Sequence, residues 1–408
     1  MKKQSSLRRL HPNIWVATLT SLLTDISSEM LVYLIPLFLA NVLGVRTAII
    51  GLIDGVAETT ASLLKITSGT LSDRLGQRKW LAVLGYAISA IAKPFLYIAN
   101  SWGWVLGVRF ADRVGKGVRN PPRDALVADS SDDRLRGLAF GLHRAGDTLG
   151  AFLGIGIAAL IIWRTQAGAL ELTRHTFQIA VLASIMPAFL AVIVLAVGAK
   201  EVGTNPKARR SNDSGKKILK RLPAPFDKRF KYFLFVTVLF TLGNSSDSFI
   251  VLRGQERGLN ILQIMGMLMS FTLVYFMLSG PLGSLSDRIG RRSLILAGWL
   301  AYGLVYLGLA FAGAGWQVWI LFALYGIYYA ATEGVARALV ADLVPAARRG
   351  TAYGLFNAAI GLSALPASLI AGILWQGIGA WTGFGAAAPF FFGSALSLLA
   401  GVLFWRLV

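Results

Sequence analysis

Gly69-Thr70-Leu71-Ser72-Asp73-Arg74-Leu75-Gly76-Gln77-Arg78-Lys79 is a hydrophilic, turn-forming island between two long apolar runs, and it returns as Gly283-Ser284-Leu285-Ser286-Asp287-Arg288-Ile289-Gly290-Arg291-Arg292. Ala125-Leu126-Val127-Ala128-Asp129 recurs letter for letter as Ala338-Leu339-Val340-Ala341-Asp342, 213 positions later. At the same offset Leu135-Arg136-Gly137-Leu138-Ala139-Phe140-Gly141-Leu142 is echoed by Arg348-Arg349-Gly350-Thr351-Ala352-Tyr353-Gly354-Leu355, and the island itself is offset by 214. Self-similarity at a fixed period marks a repeated structural unit, so two parallel halves of about two hundred residues each are expected.

The runs on either side of the island decide the solvent. Hydrophobic residues make up 55% of the 408 and charged residues only 15%, with a mean hydropathy of +0.62, whereas about a quarter of the residues in a soluble domain are charged. An integral membrane protein follows. Windows of about twenty residues, the length that crosses a bilayer as helix, give candidate spans near 14–42, 47–71, 79–99, 102–129, 137–163, 175–198, 230–252, 259–284, 292–312, 316–342, 351–376 and 383–406. The expected fold is an all-α membrane protein of twelve transmembrane helices in two six-helix repeats. Residues 1–198 form the first bundle, 199–229 a basic linker and 230–408 the second bundle. Pro121-Pro122 and Pro366 are expected to kink their helices. The run from Asn13 to Leu43 has no small-residue cleavage site and reads as a first span, not a removed signal.

A net charge of +20 would suggest nucleic acid if it formed one patch on a soluble surface. Here it falls mostly in connections of one parity: Lys2, Lys3, Arg8 and Arg9 before span 1, Arg74, Arg78 and Lys79 after span 2, Arg134 and Arg136 after span 4. Arg288, Arg291 and Arg292 follow span 8, Arg348 and Arg349 follow span 10, and Lys200 to Lys231 hold eleven basic residues against three acidic ones. Opposite-parity connections carry little beyond Arg46, Arg164, Arg174, Arg253 and Arg257. The positive-inside rule then puts both termini in the cytoplasm of a multi-pass inner-membrane protein. The basic connections face anionic headgroups and no nucleic acid partner is expected. A monomer is expected.

Cysteine is absent, which excludes disulfides, thiolate metal sites and cysteine nucleophiles. His11, His143 and His175 are too scattered for a zinc site, and no Gly-x-x-x-x-Gly-Lys-Ser/Thr loop supplies an ATP engine. No cofactor, no metal and no enzymatic activity are expected; the energy would come from a proton or sodium gradient.

Twelve spans in two repeats, a basic central linker, and Gly-x-x-x-Asp-Arg-x-Gly-x-Arg between spans 2 and 3 and again between spans 8 and 9 resemble the major facilitator superfamily of secondary transporters, in a prokaryotic form with a charged fourth span. The resemblance implies a cytoplasmic gate built from Gly69, Asp73, Arg74, Gly76 and Arg78 and from Gly283, Asp287, Arg288, Gly290 and Arg292. In that family the Asp faces the N-terminus of a helix in the other half, where unpaired amides and the dipole favour a carboxylate. Gly76 and Gly290 permit a tight turn. Span 4 of the family often carries Arg-x-x-Gln-Gly; Arg109-Phe-Ala-Asp112-Arg113 stands there with Asp for Gln and Arg for Gly.

Ionisable groups inside spans are costly unless they face a cavity or a partner. Asp25 and Glu29 share a face of span 1, and Asp54, Glu58 and Lys65 share one of span 2. In span 4, Arg109, Asp112, Arg113, Lys116, Arg119 and Arg123 recur at three- and four-residue steps. Span 5 adds His143, Arg144 and Asp147, span 7 adds Asp247, and span 10 adds Glu333 and Arg337. One reading is mutual neutralisation in a structural network, although desolvation makes buried pairs poor scaffolding. The sharper reading assigns proton coupling to Asp25, Glu29, Asp54, Glu58, Asp112 and Asp147, since a carboxylate moved between water and a dry cavity can load and release a proton. Substrate binding then falls to Arg109, Arg113, Lys116, Arg119, Arg123, Arg144, Lys65, Glu333 and Arg337, with Arg suited to bidentate contact with anions.

The expected function is a secondary transporter, proton-coupled and working by alternating access, that moves a small anionic or zwitterionic organic solute. A proton-driven efflux pump for drugs or cations is the first alternative, and a non-transporting receptor or scaffold on the same fold the second. Gly146, Gly150, Gly154 and Gly156 supply the glycines of an exporter signature in span 5, but Ile155 stands where its proline belongs. Close helix packing through small residues is the simpler account of them.

Overall fold

Inside a bilayer no water is available to an unpaired backbone group, so long apolar runs must fold into helices that satisfy themselves. The computed structural model describes residues 10–75, 77–131, 136–201, 226–344 and 349–408; the side chains of 73, 74, 136, 137, 287 and 349–351 lie outside that description. Twelve long helices account for most of it: α1 Pro12–Val32, α2 Thr47–Leu75, α3 Arg78–Ala92, α4 Trp102–Asp129, α5 Arg136–Gln166 and α6 Arg174–Gly198. Then come α7 Lys228–Gly243, α8 Ile261–Ile289, α9 Arg291–Phe311, α10 Gly315–Leu343, α11 Arg349–Gln376 and α12 Ala388–Leu407.

Eleven of these, counted with their continuations, are long and apolar enough to cross a membrane. The exception is α4, whose length suffices but whose charged stripe excludes it. Exposed tryptophans stand toward one end of the bundle (Trp15, Trp80, Trp405) and toward the other (Trp163, Trp316), as amphipathic rings do at membrane interfaces.

One expectation about local structure needs correction. The Gly69–Lys79 island is mostly helix: α2 runs on to Leu75 and α3 starts at Arg78, while α8 runs through its echo to Ile289 and Gly290 alone, at φ +90°, turns the chain into α9. Residues at a helix end can bond water, so the helices simply extend past the apolar region. Pro121, Pro122 and Pro366 sit inside continuous helices. The interruptions fall elsewhere. One follows α1 at Tyr33, after which a short turn and a π-helical segment, Phe38–Val42, finish the span. The other divides span 7 at Asn244–Asp247, beyond which Ser248–Glu256 continues it.

Helices α1 to α6 pack through α1·α5, α3·α4, α2·α4 and α1·α6; α7 to α12 pack through α8·α10, α9·α10, α9·α12 and α7·α12. Two seams join the sets, α2 against α11 and α5 against α8. The α1·α5 contact shows why span 5 carries spaced glycines: a Cβ on Gly150 would lie 2.5 Å from the Leu22 carbonyl oxygen, and one on Gly154 would lie 2.6 Å from that of Ile26. Gly156 meets open space and has no such role.

The end of the bundle opposite the island is tied shut between the two sets. Asn41 donates to Gln255 at 3.1 Å, the Thr47 amide to Gln376 at 2.8 Å, Arg46 to the Gly379 carbonyl at 2.9 Å, and the Ile261 amide to the Ala169 carbonyl at 3.2 Å. Arg253, expected as a connection charge, is instead a buried helix cap. Its guanidinium donates to the carbonyls of Leu309, Ala310 and Ala312 at the end of α9 and pairs with Glu256, which satisfies carbonyls that a helix C-terminus leaves open.

Candidate functional site

Between the two sets of helices lies a cavity of about 620 Å³, within the size range of small-molecule sites. Arg144 lines its island side and is exposed, so the mouth opens toward that end, away from the closed ties.

Helix periodicity delivers the charged residues to this space. Asp25 and Glu29 of α1, Asp54 and Glu58 of α2, and Asp112 of α4 all line it. So do Arg109, Arg113, Lys116 and Arg119 of α4, together with Arg144 of α5 and Glu333 of α10. Four candidates lie outside the lining. Lys65 is farther along α2; Arg123 is held by Asp124 at 2.8 Å and donates to Ser21 at 3.1 Å; Asp147 stands 3.5 Å from His143; Arg337 is exposed, 3.9 Å from Glu333. Of the gate residues, Gly76 and the side chains of Asp73, Arg74 and Asp287 are outside the described residues. Arg78 and Arg292 are placed, and they do not match: Arg78 lies 3.3 Å from Asp129, whereas Arg292 donates to the backbone carbonyl of Trp405.

Asp54 sits at the deep end of the cavity and is bonded from both sets of helices. Arg109 of α4 reaches one carboxylate oxygen at 3.1 Å. Ser246 and Ser248, at the break in α7, donate to the other at 2.9 and 2.6 Å. The break makes this possible, because a regular helix would bond its own amides and hold these two hydroxyls off the Asp54 side. Charge-assisted hydrogen bonds of this kind are short and strong.

Nearer the mouth a second cross-set contact closes. The Arg144 guanidinium reaches Glu333 at 3.1 Å and the Tyr275 hydroxyl at 2.9 Å, and Tyr275 donates to Glu333 at 2.6 Å. Two residues assigned to substrate by their positions thus engage each other. On the α4 stripe, Arg119 donates to Ser89 at 2.7 Å and stacks over the Tyr86 ring at 4.7 Å, which spends it on helix packing against α3.

Lys93 was missed in the sequence, although a lone lysine within an apolar run is a signal of the same kind as the others. It is 4% exposed, lines the cavity, and donates to Ser27 at 2.6 Å and Ser28 at 3.1 Å. Asn244, Tyr275 and Tyr329 also line the cavity. Neutral polar and aromatic side chains in a membrane span give no such signal, since they are equally at home in packed interiors.

No three His, Asp or Glu side chains among the described residues are grouped to hold a metal ion. The arrangement is that of a water-accessible, charged chamber between two helix sets. It can admit a small polar solute and exchange protons through carboxylates.

The chain matches the family model described as Major Facilitator Superfamily over residues 17–269 and 233–408. An uncharacterised MFS-type transporter of Methanocaldococcus jannaschii is 35% identical over 408 residues, covering 98% of this chain and 96% of the relative. The multi-drug resistance efflux pump PmrA of Streptococcus pneumoniae is 25% identical over 346 residues, 82% of each chain. Among solved structures, a nucleoside transporter, NupG, superposes with a TM-score of 0.78 over 97% of this chain and 99% of its own at 12% identity, a likeness of fold. This multi-pass membrane protein belongs to the major facilitator superfamily and is a secondary transporter.

Proposed function

We propose that the chain is a proton-coupled transporter of small anionic or zwitterionic organic solutes, working by alternating access with helices 1–6 and 7–12 as its two halves, in the cytoplasmic membrane, with both termini inside and the monomer as the working unit. The observation that carries this reading is the bonding of Asp54 to Arg109 on one side and to Ser246 and Ser248 on the other. Protonating that carboxylate removes the negative charge that holds Arg109 and weakens the tie between halves, so proton loading and movement of the halves act on one group. Arg109 is then freed toward the cavity. The Gly69–Arg78 segment and its echo are assigned to the cytoplasmic gate. The two Arg–Asp ties at the near end, Arg78–Asp129 and Arg291–Asp342, support the two-repeat organisation.

The test is proteoliposome transport with an imposed pH gradient over a panel of organic acids and zwitterions, read together with internal pH. Solute movement accompanied by proton flux supports the reading. Solute movement unaffected by pH gradients but dependent on sodium would replace the coupling ion; absence of any solute-linked flux across the panel defeats the proposal. A second reading, proton-driven efflux of cationic drugs, draws on the relative named as an efflux pump and on the cavity carboxylates Asp25, Glu29 and Glu58, none of which forms an ion pair within 4.0 Å among the described residues. Drug-dependent proton flux in the same vesicles would select it.

A further inference from the structure

The bases of the cavity are segregated by wall, whereas its acids are not: Asp25, Glu29, Asp54, Glu58 and Asp112 share the side of the bases. Among the described residues every lysine and arginine that lines it comes from α4, α5 or Lys93 just beyond α3. The facing wall, from α7, α8, α10 and α11, contributes Asp247 and Glu333, hydroxyls and aromatic rings, with no base of its own. Glu333 is already engaged by Arg144 and Tyr275.

Asp247 is different. Its carboxylate receives the Tyr329 hydroxyl at 3.3 Å and has no cation within ion-pair distance among the described residues. Asp247 is half-buried in the cavity wall, and a carboxylate at membrane depth without a counter-charge is costly, so its retention there points to something that visits it. Beside it the rings of Phe271, Tyr275 and Tyr329 are set edge to face: Phe271 and Tyr329 have centroids 5.3 Å apart at 85°, and Tyr275 and Tyr329 have centroids 6.0 Å apart at 76°. Rings so disposed present π faces in more than one direction, and a π face next to a carboxylate is a good seat for an ammonium group.

Opposite, Lys116 makes no ion pair or hydrogen bond among the described residues, and the carboxylate within ion-pair distance of Arg113 is its neighbour Asp112, 3.9 Å from Nε, too far for a hydrogen bond. Two cations whose capacity is open and which face a cavity are suited to an anionic group.

We infer that the solute is amphoteric and binds in one orientation, its acidic group on Arg113 and Lys116 of α4 and its cationic group on Asp247 at the break in α7, against the rings of Phe271, Tyr275 and Tyr329. This rests on the reading of the chain as a carrier of small organic solutes, and narrows it. A solute with one charge leaves either Asp247 or the open cations Arg113 and Lys116 without a partner. A solute with both charges satisfies both walls at once and brings no net charge into the membrane. It also bridges the two helix sets, so binding favours their approach.

Purified protein in nanodiscs, titrated with L-alanine, L-phenylalanine and alanyl-phenylalanine, each also as its N-acetyl derivative and its methyl ester, tests this by calorimetry and thermal shift. The expected result is binding by the free zwitterion of at least one scaffold, with both capped forms weaker by about tenfold or more, roughly 1.4 kcal/mol. Asp247→Asn should abolish the discrimination against the N-acetyl form, and Lys116→Gln that against the ester. The wild-type series decides by itself if either variant fails to fold. Equal binding of zwitterion and N-acetyl form overturns the inference and leaves an anion carrier standing. Preferential binding of the ester overturns both. If Asp247→Asn keeps its discrimination but loses pH-driven uptake, Asp247 carries the proton and the inference falls. No binding by any compound in the panel overturns it as well. Binding as expected without transport in vesicles supports amphoteric recognition and defeats the transporter reading.

Discussion

Arg291 pairs with Asp342 at 2.5 Å, joining the start of α9 to the end of α10. The same tie is made 213 residues earlier by Arg78 and Asp129, at 3.3 Å, between the start of α3 and the end of α4. Aligning the two islands residue by residue matches Arg78 with Arg292, yet Arg291 takes the role. The island repeats at 214 and the Ala-Leu-Val-Ala-Asp segment at 213, and the one-residue difference moves the tie to the preceding arginine.

Both pairs are partly exposed, so each should contribute about 1 kcal/mol or less. Asp342→Asn is expected to change thermal unfolding in detergent little. If the tie orients the near-end connections, the charge exchange Arg291→Asp with Asp342→Arg should recover transport lost in either single variant. Failure of the exchange to recover anything would assign Arg291 another role.

Asp54→Asn keeps the shape of the side chain and removes its charge. Loss of a hydrogen bond to a charged group is worth about 1.5–3 kcal/mol, which corresponds to about a tenfold or greater loss of pH-driven uptake. Exchange of labelled solute across membranes without a gradient should persist, because it needs no net proton movement. Equal loss of both activities would make Asp54 a structural residue.

Lys93 is buried with two serine partners and no carboxylate in contact. Removing a buried ammonium also removes its desolvation cost, which can exceed what its contacts return. Lys93→Met should therefore leave the unfolding temperature unchanged or raise it while transport falls. A lowered unfolding temperature would show the lysine to be a scaffold element.

Arg253 caps three carbonyls at the end of α9 and is 1% exposed. Arg253→Met removes the donor to these carbonyls and should cost about 1–3 kcal/mol for each buried acceptor left unsatisfied, and reduce yield. Transport per correctly folded molecule, measured after size-exclusion selection, should stay near that of the parent.

Gly150→Ala should destabilise by about 1–3 kcal/mol through overpacking, since its methyl would press on the α1 backbone at Leu22. Gly156→Ala should be neutral or stabilising by up to about 1 kcal/mol, as for a helical glycine with room for a methyl group. Parallel unfolding curves check the contrast, and equal effects would contradict the packing account of the span 5 glycines.

Sequence by itself determined the class of molecule. A hydrophobic run in lipid has only the helix as a local way to satisfy its backbone, so eleven of the spans and their approximate limits follow from hydropathy, and α4 stands out by its charges in sequence and structure alike. Spacing of three and four also put Asp54, Glu58, Arg109 and Arg113 on faces that turn into one cavity. What a face meets is another matter. Asp54 is 192 and 194 positions from the serines that bond it, Arg144 is 189 from Glu333, and Arg253 is 56 or more from the carbonyls it caps. Helical period fixes a residue's angle about its own axis, but the partner across the gap depends on how distant helices pack, where one breaks, and how far each extends past the membrane. Those choices belong to the tertiary structure, and they decide which charges neutralise one another and which remain for a solute.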